Sequence, residues 1–205
     1  MGVVSSSEKE LLASFDSGFE IGFEALLASY ESKLYSLCLN LTQSEAETEA
    51  VLSSVFCNAL DQIQSITEQS ISITDWMFRA VIDEAADRER TRHPELERPE
   101  TMIISVVEDA QIADSPATEL ELLRIAMRNL PFEYRTIYLL HDTAGFTVEG
   151  ISSMLELSEV ETRAFLHRAR LMICRHMRRF RSLGIEIPAA ALCAAASAMN
   201  RAELS

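Results

Sequence analysis

The residues of this chain that could do chemistry are arginines, and they are concentrated. Residues 160–182 hold seven Arg against one Glu, in a chain of 205 residues whose net charge is −14. Arginine neutralises phosphate and pairs bidentately with guanine edges, so the indicated chemistry is recognition of double-stranded DNA. The spacing predicts that these residues share one helix. Thr162, Leu166, Ala169, Ile173, Met177 and Phe180 recur at steps of three and four, as one buried stripe. Opposite them lie Glu161, Ala164, Phe165, Arg168, Arg175 and Arg179, with Arg163 and His167 alongside. This face is the candidate DNA-binding surface, and Arg168 is its foremost base or phosphate contact.

A short helix and a tight turn must position that face. Ser158 with Glu161 forms a capping box that opens the basic helix. Thr147 is the candidate N-cap of the preceding helix, with Phe146 and Ile151 placed as a hydrophobic staple. Further upstream, Leu120, Leu123, Met127 and Leu130 make a helix face that stops at Pro131, a good first residue for the next helix. Phe132, Ile137 and Leu140 continue that element until Gly145 closes it. The pattern predicts a four-helix domain over 118–182 ending in a helix-turn-helix.

Charge divides the chain. Residues 1–115 hold seven Lys/Arg against 22 Asp/Glu, whereas 116–205 are nearly balanced. Phosphates would repel the first half, which is therefore expected to face a protein. Its helices are legible from stripes and caps. Phe23, Leu26, Leu27, Tyr30, Leu34, Leu37, Cys38 and Leu41 form the first stripe. Ser44 with Glu47 reads as a capping box for a helix through Val51, Val55 and Ala59. Ser72 and Asp75 start a third, carrying Trp76, Met77, Ala80 and Val81. The expected fold is all-α: a helical domain over 1–92, a linker over 93–117, the helix-turn-helix domain, and an alanine-rich tail over 183–205. Pro94, Pro99 and Pro116 mark the linker, whose Met102–Val107 stretch could dock on a neighbour or form a strand.

Other chemistries find little support. Cys38, Cys57, Cys174 and Cys193 form no C-x-x-C pair, and the periodicity around Cys38 and Cys57 predicts buried thiols in a reducing cytoplasm. Cys174, His176 and His167 match no zinc spacing, so no metal or cofactor is expected. No apolar run is long enough to span a bilayer, and the opening residues lack the order of a signal peptide. Met1-Gly2 with Ser6 fits only the loose myristoylation pattern, which is discounted.

Leu130-Pro131, then Arg135, then Thr147 to Arg170 resembles the promoter-reading domain of the small extracytoplasmic-function sigma factors of bacterial RNA polymerase. Their usual text is an LP, an R, a GxS followed by EIA, an LG turn and a TVKSRLHRAR-like helix. This chain keeps Gly145, Ile151, Ser158, Leu166, His167, Arg168, Ala169 and Arg170. Phe23 to Leu41 is similar to the family's FxxLYxxYxxxLYxLAxxL. Trp76 to Arg90 is similar to its WLxxIAxNxxxDxxR helix. The resemblance implies a non-enzymatic, cytoplasmic adaptor. Its first domain would bind core RNA polymerase and open the downstream promoter element, and its second would read upstream promoter DNA. An anti-sigma protein is a further candidate partner.

The departures bear on that expectation. The family's DLVQExF segment falls on Ala50 to Phe56 as AVLSSVF, so Ala50, Ser53, Ser54 and Phe56 occupy the polymerase-binding positions without the family's polar groups. Each missing charge-assisted hydrogen bond is worth about 1.5–3 kcal/mol. The strand-capturing stretch between Leu60 and Trp76 contains no Lys or Arg, and Asp83 stands at the family's asparagine position. Gly150 replaces a usual Glu, Glu156 replaces the turn glycine, and Phe165 replaces a common DNA-facing Arg. Phe165 could contact a thymine methyl or a partner protein. Three readings stay open: a working sigma factor, a degenerate sigma-like regulator that binds protein without initiating transcription, and a polymerase-independent DNA-binding repressor.

Overall fold

Every regular element is helical among the described residues, which in this computed structural model are 10–11, 13–15, 17–68, 72–92 and 119–182. The chain divides into two compact units, residues 1–94 and 95–205. The expected linker over 93–117, with its Met102–Val107 stretch, and the tail over 183–205 lie outside the described residues.

The first unit is built on α1 (Phe19–Thr42), α2 (Glu45–Glu68) and α3 (Ile73–Arg92), each packed on the other two. The predicted α1 stripe is buried at Leu26, Tyr30, Leu34, Leu37, Cys38 and Leu41. It meets Val51, Leu52, Val55, Phe56 and Ala59 of α2 and Ile73, Met77, Phe78, Val81, Ile82 and Ala85 of α3. The Tyr30 and Thr74 hydroxyls lie 2.8 Å apart and tie α1 to the start of α3. Both expected helix starts are capped. Ser44 Oγ accepts from the Glu47 N–H at 3.4 Å, and Ser72 Oγ accepts from the Asp75 N–H at 3.2 Å.

Three expectations here are corrected. Glu47 does not complete a reciprocal box; its carboxylate accepts from Arg92 at the far end of α3. Cys57 is exposed, because it falls one step outside the Val55–Phe56–Ala59 stripe, whereas Cys38 is buried. Burial pushes the Cys38 thiol up to about 11, against a weaker lowering by its hydrogen bond with Thr48. Phe56, a polymerase-binding candidate, belongs to the core; Ala50 and Ser53 are exposed and Ser54 is half-buried.

The second unit contains the four expected helices: α4 (Glu119–Arg128), α5 (Phe132–Tyr138), α6 (Val148–Leu155) and α7 (Glu159–Ser182). The first three all pack on α7. Pro131 caps α5 from outside instead of being its first residue, a one-position shift within ordinary boundary variation. Leu139–Thr143 then widens into a π-helical turn, closed by the Ala144 N–H on Leu139 O at 2.8 Å. Gly145, at φ +79°, turns the chain out of it, as the sequence pattern predicts.

Candidate nucleic-acid interface

The geometry of α7 begins at its first turn. Ser158 Oγ accepts from the Glu161 N–H at 3.2 Å, while Glu161 Oε2 accepts from the Ser158 N–H at 2.9 Å and from its hydroxyl at 2.6 Å. The predicted capping box is therefore formed in both directions. Those hydrogen bonds stabilise the ionised carboxylate and hold Glu161 below the usual carboxylate range. Glu161 is fully exposed, yet its carboxylate is engaged in starting the helix.

The preceding helix is capped by Thr147, whose hydroxyl accepts from the Gly150 N–H at 3.1 Å. Gly150 has no side chain with which to reach back, so only half a box forms there. Glu156 ends α6 at φ +57°, ψ +38°, the left-handed conformation in which the family pattern has glycine. The helices on either side of this turn are locked by a buried pair, Ser152 Oγ and Thr162 Oγ1, 2.8 Å apart. Each oxygen also lies within hydrogen-bond distance of a carbonyl upstream, Ser152 Oγ 2.7 Å from Val148 O and Thr162 Oγ1 3.1 Å from Ser158 O, so one hydroxyl donates across the turn while the other donates to its own carbonyl. Sequence periodicity marks Thr162 as buried, but it gives no sign that the hydroxyl of Ser152, ten residues earlier, is the other half of the lock.

All six residues of the predicted stripe are buried: Thr162, Leu166, Ala169, Ile173, Met177 and Phe180. Arg170 joins them, with only 4 % of its side chain exposed. Its guanidinium grips Asp142 of the π-helical turn with both oxygens, at 2.7 and 3.1 Å, and lies 3.3 Å from His141 Nδ1. Arg170 is thus a positioning residue for α7, not part of its outer face. Tyr138, half-buried beside this pair, has its hydroxyl pushed up to about 12, mainly by desolvation and further by Asp142.

The outer face holds Glu161, Arg163, Ala164, His167, Arg168, Arg175 and Arg179, all exposed where the sequence placed them. Val160 and Arg178 are exposed there too and were not among the sequence candidates. Phe165 is half-buried, its ring tilted against Tyr134 of α5 with centroids 5.1 Å apart. It packs inside its own unit, a role different from both a thymine contact and a partner contact. Arg163 is paired with Glu159 at 3.0 Å, whereas Arg168, Arg175 and Arg178 face no carboxylate among the described residues. His176 is held neutral-ward by burial and by Arg179, so it adds little to the charge near pH 7.

The first unit manages its cations differently. On α3, Arg79 pairs with Asp83 at 3.3 Å, Arg88 with Glu84 at 3.0 Å, Arg90 with Asp87, and Arg92 with Glu47. Each arginine of that helix has a carboxylate of its own. Among the described residues, the largest group of exposed cations without a carboxylate partner is on α7; Lys33 of α1 and Arg124 of α4 are isolated cases. Among the described residues, no grouping of His, Cys, Asp and Glu is placed to hold a metal ion, and no helix is long and apolar enough to cross a membrane.

Residues 120–173 match the family model for Sigma-70, region 4. The sigma factor SigW of Bacillus subtilis is 23% identical over 181 residues, covering 83% of this chain and 96% of its own. SigM of Mycobacterium tuberculosis is 23% identical over 170 residues, covering 82% and 84%. Among solved structures, the sigma factor RpoE from Bartonella quintana, determined with the anti-sigma factor NepR, superposes at TM-score 0.59 with 18% identity, over 76% of this chain and 96% of that one. CnrH, determined with the cytosolic domain of CnrY, superposes at 0.61 with 15% identity, over 85% and 99%. These likenesses show the fold across both units. Over most of its length the chain is similar to extracytoplasmic-function sigma factors, and its second unit carries the match to Sigma-70, region 4.

Proposed function

We propose that this protein binds core RNA polymerase through its first unit and recognises duplex promoter DNA through α7, acting in the cytoplasm. The polymerase supplies all the bond-making chemistry. The observation that carries the reading is the contrast in arginine pairing. The arginines of α3 are internally neutralised, whereas Arg168, Arg175 and Arg178 are exposed on one helix without carboxylate partners among the described residues. Such a surface attracts phosphates by releasing their counterions. A helix of 24 residues, about 36 Å long, can enter the major groove at its N-terminal end and track the backbone with the rest. In vitro transcription with core polymerase and this chain, followed by mapping of the transcript starts, tests the reading. Defined starts dependent on the chain are expected; binding to polymerase without any such start would reject promoter recognition.

One observation favours a second reading, the sigma-like regulator that no longer initiates. The outward face of α2 at Ala50, Ser53 and Ser54 offers small and uncharged groups where the resemblance expects ionic partners for polymerase. RpoE and CnrH were each solved with a protein partner, and an anti-sigma protein is the corresponding candidate here. Capture of core polymerase by the full chain separates the readings. A working sigma factor binds it and directs starts, a regulator binds protein without starts, and a polymerase-independent repressor binds promoter DNA alone.

A further inference from the structure

We infer that the leading turns of α7 read thymine methyl groups through Val160 and Ala164, with Arg168 as the next contact along the same ridge. The inference rests on the DNA-recognition reading above and adds what kind of base the helix selects. Val160 is 78% exposed, and Ala164 and Arg168 follow it at steps of four, all three on the surface. Residues four apart stand above one another on a helix, so these side chains form a single row. The recognition helix of a helix-turn-helix meets base edges with its N-terminal residues, and Val160 is the second residue of α7.

The polar groups near that end are already engaged. The Glu161 carboxylate closes the Ser158 cap. Arg163 lies off the ridge and is held by Glu159. Phe165 is turned against Tyr134. Beside these engaged charged groups, the side chains that the row offers to a groove over the first two turns, Val160 and Ala164, are apolar. In the major groove only thymine offers an apolar group, its C5 methyl, whereas guanine and adenine call for Arg, Lys, Asn or Gln. A single exposed valine would be ordinary on any surface. Here it heads a row that ends in an uncompensated arginine, and a β-branched residue in the first turn of a helix gains nothing from exposure in the free protein. The charge of the neighbouring arginines brings this row against DNA and not against an uncharged apolar surface. The preferred site is thus expected to contain one or two adjacent A·T pairs with thymines facing Val160 and Ala164, followed by the guanine or phosphate that Arg168 contacts.

The test uses the full chain with core polymerase and a random duplex library. The enriched duplex is then resynthesised with deoxyuridine at each thymine in turn, which removes one methyl and leaves every hydrogen bond in place. Affinity is expected to fall about fourfold at one or two adjacent positions, the value of one buried carbon. Val160→Ser should abolish the drop at one of them, and Arg168→Ala should leave it intact while weakening binding as a whole. Val160 is exposed, so its substitution does not threaten the fold. Equal binding of thymine and uracil duplexes at every position would overturn the inference, as would an undiminished uracil penalty in Val160→Ser. A library that yields no enriched duplex at all would instead reject DNA recognition itself.

Discussion

Arg170 on α7 and Asp142 in the π-helical turn form a two-pronged ion pair, with Nη2 and Nε donating to separate carboxylate oxygens at 2.7 and 3.1 Å. The pair joins the recognition helix to the segment leading into the helix-turn-helix, 28 residues earlier. The π-helical geometry adds one residue to the turn, and Asp142 sits within that widened segment. Because Arg170 is almost fully buried, removing Asp142 takes away the carboxylate that faces its guanidinium. Asp142→Ala is expected to cost about 2–4 kcal/mol, toward the lower end because the Asp142 side chain is partly solvated. Urea unfolding would show the loss as a lower midpoint at unchanged slope. A midpoint within experimental error of the parent would mean that the pair does not hold α7.

Glu156 stores strain of a kind that glycine relieves. It is one of two non-glycine residues with positive φ among the described residues, the other being Gln43 at the end of α1. Its left-handed backbone closes α6 by directing its own N–H to Ser152 O. Glu156→Gly should therefore raise stability by up to about 1 kcal/mol, the relief of the left-handed cost less the added freedom of the unfolded chain. Thermal unfolding would register a higher Tm. A fall in Tm would show that the glutamate side chain contributes more than its backbone costs.

The helix-turn-helix is largely legible in the sequence because its signals are local. Ser158-x-x-Glu161, Thr147 and the stripe from Thr162 to Phe180 each act within a few residues, and all reappear in the structure. Pairings between distant positions are not legible in this way. Helical phase sets Arg170 beside the apolar stripe and Arg168 opposite it, but nothing in the sequence names Asp142 as the partner brought against Arg170. Ser152 and Thr162 likewise meet only after the turn folds back. On α2, apolar periodicity places Cys57 inside and the family resemblance gives Phe56 to a partner, yet adjacent residues of a helix differ by about 100° and the core takes Phe56. Val160 attracts no notice in the sequence because an exposed valine breaks no pattern; its meaning comes from the row it heads.

The Ser158–Glu161 cap is expected to weaken in acid. Hydrogen bonds in the folded protein lower the Glu161 pKa from its ordinary value, so the folded state holds this carboxylate ionised more strongly than the unfolded chain does. The stabilisation is fully present above the unfolded value, near about 4.3, and is lost as pH falls through the lower folded value. Hydrogen exchange at the first amides of α7 should accelerate in that window beyond its intrinsic pH trend. Glu161→Gln, which cannot change charge, should remove the pH-dependent component. Persistence of the same acid response in the glutamine variant would assign it to another group.

The pairing of the arginines sets the order in which they should matter for DNA. Replacing Arg168, Arg175 or Arg178 by Ala removes an exposed cation that no carboxylate among the described residues neutralises. For each one that neutralises a phosphate, the substitution should reduce the slope of log affinity against log salt by about 0.9. If Arg168 also reads a base, its removal should cost about 1–3 kcal/mol more, the value of one specific base interaction, and relax selectivity at a single base pair. Arg88→Ala and Arg90→Ala on α3 remove cations already facing Glu84 and Asp87, and the −15 balance of residues 1–115 opposes any DNA contact there. Those variants should leave the salt slope where it was. Binding of promoter duplex by the full chain with core polymerase, measured across a range of salt concentrations, compares both sets directly. Equal slopes for the α7 and α3 variants would move the DNA contact away from the exposed face of α7, and a larger effect from α3 would return DNA capture to the acidic unit.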